Sequence, residues 1–260
     1  MKSQYNITKM RPMHQTIRST LFYGMLKNRE VAVKFIPKKY NMTERPYTET
    51  DVLKMLQKSK NVVKYIDTIE NENNTYIVME WIHGMNLKEY IKQLKKPLEE
   101  KQVRIMAKQL MDALLACNNA NMIYGDVKLE NIMIDPFGNI KLIDFGCTRM
   151  IGTVYNSYIG TPVYFSPEMF EQVFIPEYDV WGAGIIMYYL ACGEHPFVDR
   201  KPYDLTDLKE MIYYSPMHFD HSAWKKWSKE GKDLIIGMLE KDHLKRMNIH
   251  NVIEDKWFSI

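Results

Sequence analysis

In this chain of 260 residues, the side chains whose types and spacing could do chemistry fall in two stretches, one near Lys34 and one between Asp126 and Asp144. In Val31-Ala32-Val33-Lys34-Phe35-Ile36 the strand period of two puts Val31, Val33 and Phe35 on one face and Ala32, Lys34 and Ile36 on the other. A lysine on an otherwise apolar face either snorkels to water from an edge strand or meets an anion. The stretch after Pro46, a residue that suits a first helical turn, supplies a candidate anion. There Glu49, Val52, Leu53 and Leu56 recur at spacings of three and four and form one inward stripe. A glutamate on such a stripe is costly unless a cation meets it. Lys34 is the candidate cation; the other reading of Glu49 is an acid at a helix N-terminus.

The second stretch is richer. Asn131–Ile134 and Ile140–Ile143 read as a β-hairpin joined by Asp135-Pro136-Phe137-Gly138-Asn139, with Pro and Gly placed for a turn. With the turn centred near Phe137-Gly138, Asn131 comes opposite Asp144 at the open end, give or take one residue for a bulge. Asp126 and Lys128 lie just upstream of Asn131, so this end gathers two carboxylates, an amide oxygen and a lysine. Oxygen ligands without His or Cys favour a hard cation. One or two carboxylates completed by substrate phosphates is how Mg²⁺ is usually held.

Positioning these groups takes two kinds of structure. Up to about Trp81 the chain reads as short β-prone runs, including Glu30–Ile36 and Thr75–Glu80, with one helical stretch among them. After Leu87 helical spacing dominates, in Lys101–Asn118, Glu168–Phe174, Val180–Ala191, Lys232–Leu239 and Ile249–Trp257. A small β-rich lobe, followed by a larger helical one with His83-Gly84 as the joint, is the architecture expected; no repeats, heptads or low-complexity linkers interrupt it.

Composition narrows the class further. Thirty-five Lys+Arg against 32 Asp+Glu leave a net charge of only +3, and 46% of residues are hydrophobic, as in a folded soluble protein. Isolated lysine pairs at 95–96 and 225–226 on a nearly neutral chain give no nucleic-acid footprint. The apolar run Val180–Gly193 is too short for the ~20 residues of a membrane crossing and reads as a buried core helix. The first fifteen residues contain no apolar signal segment. Cys117, Cys147 and Cys192 have neither metal spacing nor even pairing, which points to a reducing, cytoplasmic compartment. The sequons at Asn6, Asn41 and Asn73 are then without use.

Taken in order, Val31-Ala32-Val33-Lys34, Asp126-Val127-Lys128-Leu129-Glu130-Asn131, Asp144-Phe145-Gly146, Gly160-Thr161-Pro162 through Ser166-Pro167-Glu168, Asp179-Val180-Trp181-Gly182 and Arg246 resemble the motifs of a eukaryotic-type Ser/Thr protein kinase over nearly the whole chain. The resemblance implies an α+β, two-lobed kinase fold, residues 1–260 forming one domain with an N-lobe of about 1–82 and a C-lobe of about 83–260. It implies ATP and Mg²⁺ as cofactors and Ser/Thr hydroxyls of protein substrates as acceptors. By similarity, Lys34 paired with Glu49 would hold the α/β-phosphates and Asp126 would accept the hydroxyl proton. Lys128 would neutralise the γ-phosphate, and Asn131 and Asp144 would bind the metal. The adenine would rest between Ala32 and Met133, with Met79 as gatekeeper and the Glu80 and Ile82 backbone as hinge. Glu168 with Arg246 would be a buried ion pair, and Asp179 would brace the catalytic loop. The closing run resembles the calcium/calmodulin-dependent branch, without that branch's autoinhibitory tail. The phrases Asp-Val-Lys-Leu-Glu-Asn and Tyr-Phe-Ser-Pro-Glu are similar to those of compact kinases of large DNA viruses, in which case the compartment is the host cell's.

Three departures from the pattern qualify these implications. Where the family has its glycine-rich loop, this chain reads Met13-His14-Gln15-Thr16-Ile17-Arg18, so nucleotide affinity or phosphate positioning should suffer. The His-Arg before the catalytic aspartate is replaced by Tyr124-Gly125, which removes the arginine that clamps an activation-loop phosphate, at Ser157 or at nearby Thr153, Tyr155 or Tyr158. The acidic position that reads basic residues in substrates is Asn86, leaving Glu130 as the main surviving acid. A pseudokinase acting as a binding or scaffold module is the alternative. A small-molecule phosphotransferase, suggested by Tyr124-Gly125-Asp126, is a more distant one. The oligomeric state is left open.

Overall fold

Antiparallel pairing organises the first part of the chain. The computed structural model describes residues 7–40, 46–154 and 157–260; Asn6, Asn41 and Tyr155 lie outside them. The chain divides into two compact units, Met1–His83 and Gly84–Ile260.

In the first unit β1 (Ile7–Gln15), β2 (Thr20–Leu26), β3 (Arg29–Pro37), β4 (Tyr65–Glu70) and β5 (Asn74–Glu80) form one sheet in the order β1-β2-β3-β5-β4. Its core is Leu26, Val31, Val33 and Val78, against which Phe22, Ile66 and Ile69 pack. Lys34 therefore sits on a central strand, paired with Leu21 on one side and Ile77 on the other. The edge-strand reading of this lysine is wrong: period-two alternation shows which face a residue takes, not which strands will flank it. The helix α1 (Glu49–Met55) starts later than Pro46 suggested, because Thr48 caps it. Thr48 Oγ1 accepts from the Asp51 amide at 3.2 Å, and the Thr48 amide donates back to the Asp51 carboxylate at 2.9 Å. This capping box satisfies two end donors, and Pro46 lies outside the helix. Val52, Leu53 and Leu56 are buried, as their spacing predicts.

The second unit opens with β6 (Met85–Asn86) and α2 (Leu87–Gln93), which Asn86 caps by accepting from the Glu89 amide at 2.9 Å. Then follow α3 (Glu100–Asn119), β7 (Met122–Ile123), β8 (Ile132–Ile134), β9 (Ile140–Leu142), β10 (Arg149–Met150), α4 (Glu177–Cys192), α5 (Leu205–Tyr214), α6 (Lys229–Met238) and α7 (Ile249–Ile253). The strands make two small sheets, β6-β8-β9 and β10-β7. α4 is buried almost all round, the core helix expected from its apolar run. Among the described residues no helix is long and apolar enough to cross a membrane.

Two expected helices are shorter or absent. Instead of a helix over Glu168–Phe174, a 3₁₀ turn spans Pro167–Glu171 and ends where Gln172 takes φ of +58°. The helical spacing there reflects Met169 and Phe170 packing into the core beside Glu168. The periodicity of Ile249–Trp257 breaks after Ile253, because the Asp255 carboxylate accepts from the Trp257 amide at 2.8 Å and starts a separate 3₁₀ turn.

Candidate active site

Each unit holds one set of the residues singled out by the sequence. In the first, both Glu49 carboxylate oxygens lie 2.7 Å from Lys34 Nζ, with side-chain exposures of 11% and 7% for lysine and glutamate. Removing either partner would strand a buried charge, so the pair is held as a unit. Ala32 and Met79 are buried register partners across β3 and β5. Glu80 accepts from the Lys64 amide at 2.7 Å, and Ile82 is half-buried just beyond β5. At the β1–β2 tip, Thr16 Oγ1 accepts from the Arg18 and Ser19 amides at 3.2 and 3.0 Å. Two amides in the segment that replaces a glycine-rich loop are thus already used within the hairpin.

In the second unit the catalytic-loop candidates close into a ring. Asp126 is buried, and its Oδ2 lies 2.6 Å from Lys128 Nζ and accepts from Asn131 Nδ2 at 2.9 Å. Its Oδ1 accepts from Thr161 Oγ1 at 2.7 Å, and Lys128 donates to that same hydroxyl oxygen at 2.9 Å. Thr161 closes the ring from 35 residues downstream. The sequence marked it only as part of the Gly160-Thr161-Pro162 motif, the one available signal of its place here. A carboxylate oxygen that accepts a hydrogen bond from an alcohol, beside a fixed cation, has the arrangement needed to take a proton from a hydroxyl and to balance charge on a transferred anion.

The ring depends on a braced loop. Asp179, in the first turn of α4, accepts from the Tyr124 and Gly125 amides at 2.7 and 2.9 Å. Burial pushes its carboxyl up to about 7, against the pull of those two amides, and the charge of Asp126 adds to the rise. The Tyr124 hydroxyl donates to the Ile143 carbonyl, and its ring meets Phe145 edge-on at 5.1 Å. Gly125 has φ of +85°, and a Cβ there would stand 2.9 Å from the Cys147 carbonyl oxygen. The arginine of related kinases has no room on this backbone, so the glycine is a requirement of the loop as well as a lost phosphate clamp. Arg149 is buried in β10 and donates to the Thr148 carbonyl at 2.9 Å.

The hairpin register pairs Ile132 with Leu142, and the Ile143 amide bonds the Asn131 carbonyl, so Asn131 faces Ile143 and Asp144 lies one residue beyond. That is within the one-residue latitude of the sequence reading. Asp144 adopts φ of +59° and accepts from the Gly146 amide at 3.1 Å. Such a backbone is tolerated by Asp and concentrated at functional sites. Because Asn131 turns its Nδ2 toward Asp126, its Oδ1 is left for a cation. Among the described residues no three His, Cys, Asp or Glu side chains form a self-sufficient metal cage. Asp144 and Asn131 instead make the sparse oxygen set that suits Mg²⁺ completed by phosphates. Met133, the remaining adenine-site candidate, is half-buried in β8. The Glu168–Arg246 pair is buried and bidentate at 2.6 and 2.8 Å.

Residues 20–258 match the family model described as the protein kinase domain. The chain is 30% identical over 251 residues to Calcium/calmodulin-dependent serine/threonine-protein kinase 1 of Oryza sativa subsp. japonica, covering 93% of this chain and 41% of that protein. It is 30% identical over 243 residues to CDPK-related kinase 1 of Arabidopsis thaliana (90% and 42%). It is 32% identical over 233 residues to Calcium-dependent protein kinase 5 of Plasmodium berghei (strain Anka) (87% and 41%). The chain thus spans about two-fifths of the length of these relatives.

Proposed function

We propose that this chain, which belongs to the protein kinase domain family, is a serine/threonine protein kinase transferring the γ-phosphoryl group of ATP to protein hydroxyls with Mg²⁺. The observation that carries the reading is the closed ring of Asp126, Lys128, Asn131 and Thr161. In it Asp126 Oδ1 takes the acceptor hydroxyl in place of the Thr161 hydroxyl and receives its proton. Lys128 holds charge on the phosphoryl group through transfer, and Asp179 keeps the loop amides, and so the carboxylate, in place. Lys34, fixed by Glu49, is the phosphate ligand of the first unit, and Ala32, Met79, Glu80, Ile82 and Met133 are the adenine contacts. Asn131 and Asp144 are the Mg²⁺ ligands; the bound ion would draw off phosphate charge. Catalysis on this plan is positioning and electrostatics, with no covalent enzyme intermediate. The three free cysteines support a reducing, cytoplasmic setting.

One observation favours the pseudokinase reading: the β1–β2 tip amides are bonded to Thr16 and not left for phosphates. Transfer of label from γ-³²P-ATP to generic Ser/Thr substrates, read with nucleotide affinity, separates the two. Asp126→Asn should abolish transfer and keep nucleotide affinity, whereas Asp144→Asn should lose both. Ligand at 100 Kd stabilises a fold by about 2.7 kcal/mol. A folded wild type with no thermal shift in saturating Mg-ATP and no transfer would establish the scaffold role.

A further inference from the structure

The acid that should attract basic substrate residues is already occupied. Lys88, exposed on the first turn of α2, places Nζ 2.6 Å from Glu130 Oε1. The other oxygen, Oε2, is buried and takes no hydrogen bond, so Lys88 holds the oxygen through which this carboxylate would meet a second cation. Asn86, the other position where an acid would be expected, spends its side chain capping α2.

The surface beyond Glu130 is basic. The helix α2 that carries Lys88 also carries Ile91 and runs to Gln93, leading straight into Leu94, Lys95 and Lys96. Tyr189 lines a cavity of about 420 Å³, together with Ile91, Leu94, Pro97, Lys95 and Lys96. From Lys88 to Lys96 the exposed charges are Lys88, Glu89, Lys92, Lys95 and Lys96, four cations against one anion. Glu194, an exposed carboxylate, follows the cavity-lining Gly193 in sequence. Glu130 is four residues from Asp126 in sequence, which caps their separation at ~14 Å. A peptide with its hydroxyl at Asp126 therefore comes to the Lys88–Glu130 end of this surface within about four residues, at ~3.3 Å each.

We infer that the strip from the Lys88–Glu130 pair along α2 to the Lys95–Lys96 cavity receives an acidic segment of the substrate, making this an enzyme selective for acidic flanking residues. The inference rests on the kinase reading, and its test includes a readout independent of transfer. Two fluorescein-labelled serine peptides of one sequence, differing only in carrying Glu or Arg in the four positions on each side of the serine, are titrated against the full chain by fluorescence polarisation at low salt. The same peptides are then assayed for transfer. The Glu peptide should bind about tenfold tighter, several exposed ion pairs each contributing a factor of a few. Lys95→Glu with Lys96→Glu should remove most of that preference, and Lys88→Glu, which frees Glu130 and adds a carboxylate, should shift it toward the Arg peptide. All three lysines are exposed, and unchanged circular dichroism and Tm verify folding of the variants. Equal or tighter binding of the Arg peptide by wild type, or a Glu preference indifferent to these substitutions, overturns the inference. A Glu preference in binding, lost in the lysine variants, with no transfer to either peptide supports the strip as an acidic-peptide surface and overturns the kinase reading instead.

Discussion

Placing a methyl group on Gly125 tests how the catalytic loop is built. At φ of +85° an alanine must adopt left-handed backbone, and its Cβ would lie 2.9 Å from both the Cys147 carbonyl oxygen and the Phe174 ring. The backbone term is roughly 1–3 kcal/mol. Overpacking against a carbonyl that cannot rotate away adds about 1–3 kcal/mol. The protein supplies its own control: Gly152 has φ of +81° with nothing within 4 Å of the place a methyl group would take, so Gly152→Ala carries the backbone term alone. Urea unfolding at constant m should therefore show Gly125→Ala less stable than Gly152→Ala by about 2 kcal/mol. Gly125→Arg should fall at least as far as the alanine variant, because its Cβ meets the same atoms. Destabilisation of the two alanine variants equal to within about 0.5 kcal/mol would refute the close packing of Gly125 on the Cys147 carbonyl.

Other outcomes follow from the same structure. His195 Nδ1 accepts from the Phe197 and Val198 amides at 3.0 Å each while Nε2 bonds the Val163 carbonyl at 2.9 Å, and burial lowers its pKa from 6.5 to about 4. Between those values the unfolded chain binds more protons, so stability should fall as pH drops from 6.5 to about 4, by roughly 3 kcal/mol from this group, with a flatter pH slope in His195→Gln urea titrations. Ser157→Ala should leave specific activity within a few-fold of wild type, because Gly125 provides no arginine fork and the segment is already held by Thr161 on Asp126 and by the Tyr178 hydroxyl on the Ile159 carbonyl at 3.2 Å. A tenfold or greater loss on dephosphorylation, abolished in Ser157→Ala, would reveal another phosphate pocket. Cys147 should alkylate faster than buried Cys117 and Cys192 and more slowly with nucleotide bound. Since burial, Asp126 and Asp144 raise its thiol, the rate should keep climbing above pH 9, and labelling by mass spectrometry that levels off near neutrality would contradict this.

The chemistry was legible in the sequence where it is local. Asp126, Lys128, Asn131 and Asp144 fall within nineteen consecutive residues, and a hairpin with a Pro-Gly turn brings its two ends together whatever surrounds it. Lys34 and Glu49 were legible for a related reason: each is a charge on an apolar face, and only a partner makes either tolerable. Helix ends were less so, because Thr48 at α1 and Asp255 after α7 act through single side-chain bonds to backbone amides that hydrophobic spacing does not register.

Tertiary structure alone decided what depends on residues distant in sequence. Thr161 reaches Asp126 across 35 residues, and Lys88 reaches Glu130 across 42; nothing in either segment names its partner. The sequence showed that an arginine was missing at Gly125, but not that the Cys147 carbonyl fills the space its Cβ would need. Nor did it show that β3 would be flanked on both sides, turning Lys34 from a candidate edge lysine into a buried one. Which residues carry charge and which faces are apolar is written along the chain, whereas desolvation, the term that gives a charge its obligatory partner, is set by everything that packs around it.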